Sequence, residues 1–185
     1  PNDNHQKGRE YRLYFPLYNS VEWMEVGVPE GTLLSPLPVR KEKPIVVYGT
    51  SIAQGGCASR PAMAWPAIVG RKLDRPLINL GFSGNGRLEK EVIDLISEID
   101  AKVFVLDCLP NLDASDATKS EGVKNLVIES VRQLKKKHPT TPILLVEHCG
   151  FSDEGIKQSH ERNIKALNRA QRAALEQLKA EGLNN

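Results

Sequence analysis

Residues 44–51 read PIVVYGTS, and the fold turns on how they are read. Ile45, Val46, Val47 and Tyr48 form a continuous apolar run. A strand buried on both faces reads this way, as strands of a parallel sheet do. Gly49 ends the run, and Thr50-Ser51 open a Gly-rich loop, IAQGG. A serine placed here stands at the carboxyl end of its strand, where open α/β sheets bind ligands. Its backbone N–H, at the start of whatever helix follows, can face an anion. In isolation the motif is equally a turn with a capping serine.

Working outward, strand-like and helix-like patterns alternate. Strands are expected over 44–49, 76–82, 102–107 and 142–148, and helices over 63–73, 87–99, 120–137 and 159–182. Leu88, Val92, Leu95 and Ile96 are expected inward on the second helix. Val123, Leu126, Val127, Ile128, Val131 and Leu134 are expected on the third, and Ile164, Leu167, Ala174, Leu175 and Leu178 on the fourth. Gly182 suits the end of that last helix. The order β-α-β-α-β-α-β-α implies a parallel sheet with helices on both faces.

Upstream the pattern differs. Residues 11–18 (YRLYFPLY) and 21–28 (VEWMEVGV) alternate around Asn19-Ser20, which predicts a β-hairpin. Residues 29–43 carry three prolines and a basic cluster and read as a linker. The expected organisation is therefore a hairpin and linker over 1–43 and an α/β domain over 44–185.

Bulk properties narrow the function. A chain of 185 residues can bury a core without staples, and 26% charged residues is ordinary. A net charge of +2 is too mild to predict a nucleic-acid partner. No apolar run reaches the ~18 residues of a membrane span. Cys57, Cys108 and Cys149 are at no metal spacing, so no metal is predicted. Cys57 and Cys108 both fall near the strand-end face, and a bridge between them is one possibility. No signal peptide is visible, and the compartment stays open.

Each predicted strand ends in a distinctive loop. GFSGNG (81–86) offers backbone amides, with the Gly84 N–H suited to an oxyanion and Ser83 and Asn85 as further donors; it is also a plain βα turn. DCLPNLD (107–113) places Asn111 at a strand end, a neutral amide donor or an Asx turn. EHCGFSDEG (147–155) carries His148, a general base in principle or a half-buried histidine at a strand terminus.

Together, Gly-Thr-Ser after strand one, Ser-Gly-Asn after strand two and Asn after strand three resemble the SGNH (GDSL-type) hydrolases. The resemblance is to the branch whose first block reads G-T-S. YGTSIAQGGCASRPAMAWP and LDCLPNLD look like that branch, and REYRLYFPLYNSVEWMEVGVP is similar to the end of the small β-sandwich domain preceding it. The resemblance spans roughly residues 8–180. It implies a flavodoxin-like three-layer α/β/α fold and a serine esterase or acylhydrolase that needs no cofactor. The implied substrate is a small acyl ester of a carbohydrate or similar polar molecule. Ser51 would be the nucleophile. The Ser51 N–H, the Gly84 N–H and the Asn111 side chain would form the oxyanion hole, and Arg60 could orient a polar or anionic substrate. A binding module that keeps the pocket without catalysis, or an acyltransferase, would share these residues.

One block departs from the family. Its base lies in an Asp-x-x-His motif after a fifth strand, and neither occurs in this chain. The chain therefore reads as an internal part of a longer protein, lacking the C-terminal block and by itself unactivated. His148, one strand removed, would need a different loop path to serve as the substitute base.

Overall fold

The computed structural model describes residues 10–152 and 156–183. Four strands, β1 (Ile45–Gly49), β2 (Leu77–Gly81), β3 (Val103–Asp107) and β4 (Ile143–Leu145), pair in parallel in the order β2-β1-β3-β4. The helices are α1 (Ser51–Gln54), α2 (Trp65–Lys72), α3 (Lys90–Ile96), α4 (Ala117–Lys137) and α5 (Gln158–Ala180). Short 3₁₀ turns occupy Pro61–Met63 and Leu109–Asn111. The expected α/β sheet is present, and its order reverses direction at β1 and β3. Such a switch point opens a crevice at the strand carboxyl ends.

The apolar run of β1 is buried throughout. Because side chains alternate along a strand, it builds two cores. Val46 and Tyr48 face Phe104, Leu106, Ile93, Ile96, Val127, Val131, Leu134, Ala174 and Leu178, which joins α3, α4 and α5 to one face. Ile45 and Val47 face Val105 and Ala53, with Trp65 and Val69 of α2 against them. Each aliphatic side chain so buried contributes roughly 1.5–3 kcal/mol.

Local chemistry sets the helix ends. Asp116 caps α4, its carboxylate accepting from the Lys119 N–H at 2.9 Å, so the helix begins three residues before the expected start at 120. Lys135, Lys136 and Lys137 occupy its last turn, where cations suit the helix dipole. Gly182 ends α5 with φ +89°. The Leu183 N–H bonds to the Leu178 carbonyl at 3.0 Å and the Gly182 N–H to the Lys179 carbonyl at 2.9 Å. Three helix faces differ from expectation. Leu95 is 66% exposed while Ile93 is buried, because α3 starts late and turns Ile93 inward with Ile96. Leu126 and Leu175 lie on the outer margins of their helices. Strand β4 is shorter than expected: after the Val146 N–H bonds to the Leu106 carbonyl at 3.0 Å, β3 offers no further partner.

The predicted hairpin does not form. Residues 10–43 contain no strand, and Tyr11, Leu13, Phe15, Trp23, Met24 and Val26 are exposed. A two-stranded ribbon is marginal unless one face is buried, and here neither face is covered. The segment instead meets the α/β unit at points. Arg71 donates to the Tyr14 hydroxyl at 3.1 Å and lies over its ring at 5.4 Å, and Arg40 pairs with Asp74 at 2.8 Å. No helix of the described residues is long and apolar enough to cross a membrane.

Gly86 shows how tightly the strand ends are fitted. It has φ +69°, and a Cβ there would lie 2.1 Å from the Gly49 carbonyl oxygen. Gly86→Ala is expected to combine left-handed strain with a backbone clash and to cost at least ~3 kcal/mol. Denaturant unfolding measures this; a loss below about 1 kcal/mol would contradict the packing.

Candidate active site

The last residues of three strands lie level, Gly49 pairing with Gly81 on one side and with Asp107 on the other. The loops leaving them therefore meet at one end of the sheet. Thr50, fully buried, caps α1, its hydroxyl accepting from the Ile52 N–H at 3.3 Å. Ser51 is the first residue of that helix and is half-buried.

The loop after β2 is fastened to this corner by hydrogen bonds. The Phe82 N–H donates to the Gly49 carbonyl at 2.9 Å, and the Ser83 N–H to Gln54 Oε1 at 2.9 Å. The Asn85 N–H closes a turn onto the Phe82 carbonyl at 3.1 Å. Asn111 reaches across from the end of β3, its side-chain amide donating to the Asn85 carbonyl. At the loop's far end, Glu89 accepts from the Arg87 N–H at 2.7 Å and from the Tyr48 hydroxyl. Burial opposes ionisation of Glu89, but these hydrogen bonds more than offset it and hold its pKa below the usual range. Burial, with Glu89 alongside, pushes the Tyr48 phenol up. The loop tip, Ser83–Asn85, is exposed, and Gly84 takes φ +72° with open space around it.

Ser51 opens onto a cleft of about 260 Å³ lined by Ile52, Gly56, Cys57, Met63 and Trp65, among others. Gly84 and Asn111 do not line this cleft. Behind the serine, Asp107 is only 5% exposed. Burial raises its pKa, partly offset by a hydrogen bond from Trp65. Arg60 precedes the Pro61–Met63 turn, is exposed, and among the described residues pairs with no carboxylate. It is not part of the cleft lining.

His148 follows β4, which is separated from β1 by β3. At ~4.8 Å per strand, this places the two strands about 10 Å apart. The ring is 5% exposed, and Nδ1 accepts from the Gly150 N–H at 2.9 Å. The residue's backbone N–H donates to Asn168 Oδ1 at 2.8 Å, its carbonyl accepts from Asn168 Nδ2 at 3.2 Å, and Phe151 packs edge-on at 4.6 Å. The two Asn168 bonds tie the His148 backbone to α5. Residues 153–155 of its loop lie outside the described residues. The possible Cys57–Cys108 bridge is absent. All three cysteines are free; Cys57 sits on the exposed turn after α1, while Cys108 is buried with its thiol on the Tyr48 carbonyl at 3.6 Å. Burial pushes that thiol's pKa far up, which makes it inert.

Comparison with known proteins decides the family. The family model described as GDSL-like lipase/acylhydrolase matches residues 42–185. The chain belongs to the GDSL-like lipase/acylhydrolase family. A second model, the N-terminus of Esterase_SGNH_hydro-type, matches residues 2–34, so the upstream segment is also that of this GDSL-like group. No curated protein matches the chain. Among solved structures it is similar to a GDSL-like lipase from Bacteroides ovatus ATCC 8483, at 38% identity and TM-score 0.71, over 78% of this chain and 41% of that one. It is also similar in fold to the salicylyl-acyltransferase SsfX3 of a tetracycline biosynthetic pathway, at 22% identity and TM-score 0.67, over 80% and 42%. AlinE4, an SGNH-hydrolase family esterase, matches at 16% identity and TM-score 0.53, over 77% and 75%. The GDSL-like chain described here thus spans about two-fifths of the length of the first two proteins.

Sequence reasoning singled out the three strand-end loops that meet here but missed the side chains that fasten them, Gln54, Tyr48 and Glu89. Gln54 sits in a loop-like stretch with no periodicity to mark it. The Tyr48–Glu89 contact joins residues 41 apart, and only the sheet register brings them together.

Proposed function

We propose that this protein is a serine esterase acting on a small acyl ester of a carbohydrate or similar polar alcohol, with Ser51 as nucleophile. The observation that supports this reading is the fastening of three loops at one corner. Asn111 and the 81–86 loop are hydrogen-bonded to one another, and that loop is bonded to the strand end and helix that carry Ser51. Ser51 Oγ attacks the ester carbonyl carbon, and the carbonyl π electrons move onto oxygen. The Ser51 N–H, the Gly84 N–H and the second N–H of the Asn111 amide are the donors for that oxyanion. Collapse of the tetrahedral intermediate breaks the bond to the alcohol, which leaves with the serine proton, and water then releases the acid from Ser51. Donors already bonded to the scaffold need not reorganise as charge develops, which is the source of their effect.

His148 follows a strand separated from β1 by β3, its Nδ1 accepts from the Gly150 N–H, and no Asp-x-x-His occurs in these 185 residues. We therefore assign them the nucleophile and the oxyanion donors but not the base. The 260 Å³ cleft, walled by Ile52, Met63 and Trp65, suits a short acyl group. The protein at its native length should hydrolyse p-nitrophenyl acetate and propionate with at least tenfold higher kcat/KM than the octanoate. Absence of turnover on all three, or a rise with chain length, would refute the proposal. Acyl transfer uses the same residues; product analysis with an added acceptor alcohol separates it from hydrolysis.

A further inference from the structure

We propose that Gln54 is a positioning residue that couples the upstream segment to the oxyanion loop; this rests on the esterase reading above. Gln54 is the last residue of the helix that Ser51 begins. Its Nε2 donates to the Leu17 carbonyl at 2.8 Å, and its Oε1 accepts from the Ser83 N–H at 2.9 Å. An amide nitrogen can only donate and an amide oxygen only accept, so each partner independently demands the same orientation. One side chain therefore reads both partners, and a flip breaks both bonds.

Each end matters for a separate reason. Ser83 immediately precedes Gly84, whose N–H is a proposed oxyanion donor. The tip of that loop is exposed, and a Cβ at Gly84 would meet nothing, so hydrogen bonds contribute much of what fixes its position. The bond to Gln54 is the one that ties the tip directly to the nucleophile's own helix. At the other end, the upstream segment is seated on the turn that closes α1. Leu17 Cδ1 lies 3.0 Å from where a Cβ on Gly55 would stand, and the Tyr18 hydroxyl 2.5 Å from that of Gly56. Gly56 lines the Ser51 cleft. Displacing Leu17 and Tyr18 releases Nε2, frees the Gln54 side chain to rotate and loosens Ser83. The upstream segment thus acts on the oxyanion donors through a single amide.

The test uses the protein at its native length and p-nitrophenyl acetate. Gln54→Ala removes both bonds, and Gln54→Glu keeps an acceptor for Ser83 while losing the donor to Leu17. The expected result is a 10- to 100-fold fall in kcat for Gln54→Ala with KM within twofold, and a fall of at least fivefold in Gln54→Glu, whose carboxylate keeps an acceptor for Ser83 but is repelled by the Leu17 carbonyl and no longer held by it. A kcat within twofold of wild type in either variant would overturn the proposal. Amide exchange in the unmutated protein provides a readout that does not depend on folding of a variant. The solvent-exposed Ser83 N–H should exchange at least tenfold more slowly than an unstructured amide, and free exchange would also overturn it. If Ser51→Ala retains full activity, the esterase reading has failed, and that outcome is distinct from either result at Gln54.

Discussion

Replacing Ser51 with Ala should lower ester turnover by the protein at its native length by roughly 10⁴- to 10⁶-fold. Removing a nucleophile from a serine hydrolase abolishes the covalent route, and what remains is the stabilisation supplied by oxyanion donors and binding. Folding should be nearly unaffected. Ser51 is half-buried at the first position of a four-residue helix, and the cap is made by Thr50, not by Ser51. Steady-state kinetics on a p-nitrophenyl ester, with circular dichroism to verify folding, measure both. A variant retaining more than one-tenth of wild-type activity would exclude Ser51 as nucleophile.

The second large effect is expected at Asn111. Asn111→Ala removes the proposed oxyanion donor and also the strut that Asn111 provides to the Asn85 carbonyl. Loss of a single donor typically lowers kcat by about 10²- to 10³-fold. The stability cost is about 1 kcal/mol, the usual net worth of one hydrogen bond. KM should change little, because the donor acts on charge that develops only in the transition state. Asn111→Asp is expected to do no better than Asn111→Ala. A carboxylate at that position repels both the Asn85 carbonyl and the oxyanion. Rescue by Asp would contradict the donor role.

The sheet was legible because β1 is apolar at every position and ends at a glycine, a pattern that only a strand covered on both faces supports. Helix α5 was legible down to its terminus, because Gly182 supplies the left-handed residue its end requires. The hairpin was misread for a related reason. Alternation in 11–18 and 21–28 records a preference for a half-buried ribbon, but pairing needs a covering face, and period alone does not supply one. Ile93 was missed because the reading began α3 at residue 87, whereas it starts at Lys90. Of the candidate site, the chemistry-bearing residues Ser51, Gly84 and Asn111 could be proposed from their places at strand ends. Their fastening could not. Gln54, Tyr48 and Glu89 act across 29 and 41 residues of chain through the register of β1 and β2. A local pattern carries no trace of such contacts.

The central claim is that Ser51 is the nucleophile of a preorganised site. Mapping the adduct formed by a fluorophosphonate probe on the protein at its native length tests it most directly. One equivalent of probe is expected on the peptide containing Ser51, its attachment slowed by a competing short acyl ester and absent in Ser51→Ala. Labelling of a different residue, or none at Ser51 in a protein that hydrolyses the ester, would contradict it.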